Sequence, residues 1–73
     1  MGWYTLELDV STISKTVINA LMNVGKNNDF DVFRQIDDIV VFTSDRGVNF
    51  TRLVMELSAV CELYGIDYFS LLR

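Results

Sequence analysis

The chain has 73 residues, 51 % apolar and 22 % charged, with ten acidic against six basic side chains for a net charge of −4. That is ordinary globular composition for one small domain, and it excludes disorder as well as a basic surface for nucleic acid or anionic membrane. A single cysteine, Cys61, and no histidine exclude an internal disulfide and argue against a structural zinc site.

Residues 1–73 are therefore expected to form a single compact domain, with no cofactor and no metal. The opening MGWYTLELD lacks the basic flank and apolar core of a signal peptide. No apolar run approaches the roughly 18 residues that a membrane span needs. With one reduced cysteine, this leads to an expected cytoplasmic location.

In YTLELDV, Tyr4, Leu6, Leu8 and Val10 alternate with Thr5, Glu7 and Asp9. Period two predicts a strand with one buried face. Ser11 is placed to cap a helix near 12–24. Ile13, Val17, Ala20, Leu21 and Val24 share one stripe of that helix. Gly25 is placed to end it in the left-handed conformation, and KNND follows as a polar loop. FDVFRQ and IVVFTS predict two antiparallel strands joined by a turn at IDD.

A second helix is expected near 48–64, capped by Ser44, Asp45 or Asn49. Its stripe is Phe50, Leu53, Val54, Leu57, Val60, Cys61 and Tyr64. Gly65 ends it, with Ile66 supplying the apolar contact that accompanies such caps. YFSLLR is read as a short final strand. The order β-α-β-β-α-β predicts an α+β fold, the ferredoxin-like split arrangement. It has a four-stranded antiparallel sheet in the order 4-1-3-2 and two helices on one face.

IVVF, residues 39–42, is apolar at both parities although a strand with one wet face should alternate. As the central third strand it must turn one pair, Ile39 with Val41 or Val40 with Phe42, away from the helices. Trp3, Phe33 and either Tyr68 or Leu72 add to that open face. An apolar patch of several hundred Å² is expected there, a size that marks interaction sites. The partner-binding candidates are Trp3, Phe33, Val40, Phe42 and Tyr68. Met22, Met55 and Leu63, off the helix stripes, form a lesser candidate surface.

Catalytic chemistry finds little support. Without histidine there is no imidazole base and no Ser-His or Cys-His pair. Cys61 lies on an apolar stripe, where an inert buried thiol is expected. Asp29 with Asp31, and Asp37 with Asp38, lack the ligand number of a calcium loop and read as solvated turn residues. An RNA-recognition module stacks bases on its central strands, but Glu7 and Asp9 share a strand face with Trp3 and the basic-aromatic signature is absent. No nucleic-acid, membrane or cofactor partner is expected, and no enzymatic activity. The expectation is a small protein-binding domain, an inhibitor or adaptor of phage or mobile-element type and a homodimer, its open face covered by a second copy of the chain or by a different protein. The alternative is an ACT-like regulatory dimer that binds a small metabolite between subunits.

Overall fold

The computed structural model describes residues 4–46 and 49–73. The element order is β1 (Tyr4–Asp9), α1 (Lys15–Asn27), β2 (Asp31–Gln35), β3 (Ile39–Ser44), α2 (Phe50–Leu63) and α3 (Tyr68–Leu71). β3 lies between β1 and β2 and is antiparallel to both. Leu6 and Leu8 stand opposite Phe42 and Val40, and Val32 stands opposite Phe42 from the other side. These residues form one sheet face and pack with Val17, Leu21, Leu53 and Leu57 of the helices into a single core.

The expected ferredoxin-like sheet of four strands with two helices is not formed; the described residues make three strands and three helices. The difference lies in the segment read as a final strand. Asp67 caps a helical turn by accepting from the Phe69 N–H at 3.1 Å. Its carbonyl accepts from the Ser70 N–H at 3.1 Å and from the Ser70 hydroxyl at 2.7 Å. Tyr68 and Leu71, three apart, therefore fall on one face, and both are buried in the core. In a strand they would point to opposite sides. The turn shortens the chain, so only its last residues reach the sheet. Leu72 makes one antiparallel bridge to Leu8, and the Arg73 N–H donates to the Glu7 carbonyl at 3.2 Å.

The helices form where the apolar stripes place them, with shifted ends. α1 starts after Ser14, whose hydroxyl accepts from the Val17 N–H, rather than after Ser11. Ser11 is engaged elsewhere, its N–H donating to the Asp9 carboxylate at 3.0 Å. Gly25 lies inside α1, and the helix closes three residues later at its cap, Asn28. The left-handed residue there is Asp29, with φ of 63°. Gly65 ends α2 as the sequence predicts, with φ of 71°, and the Ile66 N–H returns to the Cys61 carbonyl at 2.8 Å. Of the expected start of α2, position 48 lies outside the described residues. Asn49 occupies the cap position, but its side chain donates to the Asn28 carbonyl at 3.2 Å instead of capping α2.

Candidate protein-interaction surface

The hairpin that builds the open face follows from local chemistry. β2 and β3 are joined by Ile36, Asp37 and Asp38. Asp38 takes the left-handed conformation, φ 58°, which a short polar side chain tolerates. Its carboxylate receives Arg34 at 2.9 Å and its carbonyl accepts from the Val10 N–H at 2.9 Å. The register this sets is unbroken and decides which side chains leave the core.

Ile39 and Val41 are the pair of IVVF that faces away from the helices. Across the strands Val41 lies between Glu7 and Phe33, and Ile39 lies between Asp9 and Gln35. Ile39 is 1 % and Val41 5 % exposed, although the helices lie on the other face. The broad apolar patch expected from the sequence thus narrows. Phe33, 46 % exposed, is its exposed apolar member among the described residues of this face. Ile36, at the hairpin tip, is 99 % exposed.

The other candidates fall elsewhere. Val40 and Phe42 face the helices and are fully buried. Tyr68 is buried on α3. All three are core residues, because the parity that turns Ile39 and Val41 outward turns the other pair inward, and because Tyr68 is helical. Trp3 lies outside the described residues. Met55 and Leu63 are exposed on α2, whereas Met22 is half-buried against the core. Sequence reasoning passed over Ile36, although an isoleucine in a polar turn is itself a signal.

Charge frames the open face. Glu7 and Asp9 come from β1 and Asp31 from β2, and Arg73 lies against the β1 edge. The carboxyl of Asp9 is held below its usual range, first by the Ser11 N–H, then by the Ser11 hydroxyl, and to a lesser degree by Arg73. It therefore stays ionised through mildly acidic conditions.

At the end of the sheet near the α1–β2 loop, a cavity of about 470 Å³ is lined by Asn28, Asp29, Asp31, Asp45, Arg46 and Asn49, among others. Asn28 is its structural corner. Its amide nitrogen donates to the Val24 carbonyl at 2.8 Å and to Glu56 at 2.7 Å, tying α1 to α2. Those two acceptors fix which end of the amide is nitrogen, and Oδ1 is left buried without a donor. Cys61 is buried, as its place on the stripe predicts. Its thiol is pushed up by burial and, secondarily, by Asp67. Among the described residues no group of three or more Cys, Asp or Glu comes together to hold a metal ion. Nor is any helix among them long and apolar enough to cross a membrane.

No family model, no curated protein and no solved structure matches this chain.

Proposed function

We propose that this chain is a non-catalytic protein-binding domain of inhibitor or adaptor type, docking through the open sheet face and the β2–β3 hairpin. The observation that carries the reading is Phe33 exposed on the sheet face that Glu7, Asp9 and Asp31 share, with Ile36 exposed at the hairpin tip. An apolar contact with an acidic frame matches a partner surface that has an apolar centre and a basic rim. Aromatic anchors supply much of the energy in such contacts, and charges set encounter rate and specificity.

The frame also decides between partners for the face. Two copies laid face to face would bring Glu7, Asp9 and Asp31 of one against the same groups of the other, which like-charge repulsion opposes. A different, basic protein is the better occupant. The test is capture of a partner on immobilised protein, comparing Phe33→Ser with Met55→Ser, whose side chain lies on the far side of α2. Loss of capture by the first alone, with binding that weakens as salt rises, supports the reading. Capture by both variants alike, or binding indifferent to salt, overturns it.

A further inference from the structure

The strand register fixes which backbone groups the sheet leaves unpaired. The Glu7 carbonyl accepts from Arg73, so the polar backbone groups of Glu7 point away from β3. Backbone direction alternates along a strand. Tyr4, Leu6 and Leu8 therefore turn theirs toward Ser44, Phe42 and Val40. On β3 the intervening residues Ile39, Val41 and Thr43 turn theirs toward Gln35, Phe33 and Asp31. The alternation leaves Val32 and Arg34 of β2 with both N–H and C=O directed outward. No hydrogen bond from a described residue reaches any of these four groups.

This edge also lacks several of the usual protections. Natural sheets blunt an edge with lysine, proline, a bulge or a covering segment. The segment DVFRQ contains neither lysine nor proline, and its pairing with β3 runs without a bulge. Its one basic side chain, Arg34, is engaged by Asp38 within the same hairpin. The opposite edge of the sheet differs, because Leu72 and Arg73 lie against β1.

The geometry points to a second copy of this chain pairing antiparallel along β2, making one continuous sheet of six strands. One two-fold register uses all four free groups: Val32 opposite Arg34 of the other copy, and the reverse. It puts Phe33 against its own counterpart at the axis, in the position where facing side chains approach most closely. Asp31 falls opposite Gln35. No like charges stand opposite one another, in contrast to the face-to-face arrangement. Centring the axis on Val32 makes half as many hydrogen bonds, and centring it on Arg34 also confronts two guanidinium groups. A two-fold contact needs only one self-complementary patch, and this edge is one. The pairing rests on the backbone of β2 and shares only Phe33 with the binding reading above. It would place the open faces of both copies on one side as a single surface.

The interface is smaller than that of a standard complex, so the association is weak and concentration must be varied. Sedimentation equilibrium from about 20 µM to about 1 mM should show the mass rising toward twice that of the monomer. Hydrogen exchange over the same range should slow at the amides of Val32 and Arg34 by about ten-fold on concentration. Arg34→Pro removes an outward N–H on an edge strand, where proline is tolerated, and should keep the chain monomeric. Arg34→Ala loses the same ion pair but keeps the N–H, and should still associate. Phe33→Lys, which sets two charges at the axis, should also be monomeric, with a circular dichroism spectrum matching the parent. A parent of monomer mass throughout, exchange at these two amides that ignores concentration, or a dimer that survives Arg34→Pro would each overturn the proposal. Partner capture that persists in monomeric Arg34→Pro would leave the function standing by itself.

Discussion

Gly25 shows how a residue can be right for a reason different from the one its type suggests. A Cβ built there would lie 2.4 Å from Cδ2 of Phe42 and 2.6 Å from Cγ2 of Val32. The hydrogen side chain lets α1 rest directly on the sheet beneath it. Phe42 is fully buried at the centre of the core, and Val32 is half-buried against it. Neither can yield without moving the strand that carries it. Gly25→Ala should gain about 1 kcal/mol of helix propensity and still lose stability, by about 1–3 kcal/mol net, because overpacking dominates. Urea denaturation measures this directly, and an alanine variant more stable than the parent would refute the close approach. Asn28, three residues on, acts by hydrogen bonding instead. Its amide joins α1 to Glu56 of α2 and its carbonyl receives Asn49.

At the scale of elements, the decisive feature is α3. Four residues make a helix too short to stand on propensity, so it depends on its cap and on Tyr68 and Leu71 entering the core. Asp67→Ala removes the acceptor for the Phe69 N–H and should cost about 1 kcal/mol. The chemical shifts of residues 68–71 should lose helical character while those of α1 and α2 remain. Asp67→Asn keeps an acceptor and should restore most of the loss, which separates capping from charge. The hairpin β2–β3 is the counterpart on the other side of the molecule. Its three-residue turn has Asp38 at the left-handed position and aligns Phe33 with Val41. The same register leaves β2 as the edge of the sheet, with no further strand beyond it among the described residues.

For the whole molecule, the buried titratable groups set a pH limit. Burial pushes up both the Cys61 thiol, which Asp67 raises further, and the Tyr68 hydroxyl, which Cys61 raises further. The folded chain therefore holds these two protons more tightly than the unfolded chain does. Their contribution is complete below the unfolded values and is lost as pH rises through the folded ones. Thermal stability should be level from about pH 6 to 8 and decline above about pH 9, where free thiols and phenols ionise. Cys61→Ala should make the decline shallower. A melting temperature that rises across the alkaline range would contradict the burial of both groups. The native thiol should react with a thiol reagent only as fast as the chain opens.

Some of this was decided by sequence alone, because the signals are local. Alternation in YTLELDV fixes β1 and its inward face, since a period of two admits one pleat. The stripe from Phe50 to Cys61 fixes α2, and Gly65 with Ile66 fixes its end. Asp37 and Asp38 mark the hairpin, and IVVF announces a central strand. The tertiary structure decided what depends on distant partners. Tyr68 and Leu71 suit a strand or a helical turn equally on paper; Asp67 and the space beside α2 select the turn. Gly25 could end α1 or pass beneath Phe42, and only the position of the sheet chooses between them. The open face was legible as a parity choice within IVVF but not in its extent. The burial of Ile39 and Val41 between β1 and β2 depends on three strands meeting in one register, which no single segment encodes.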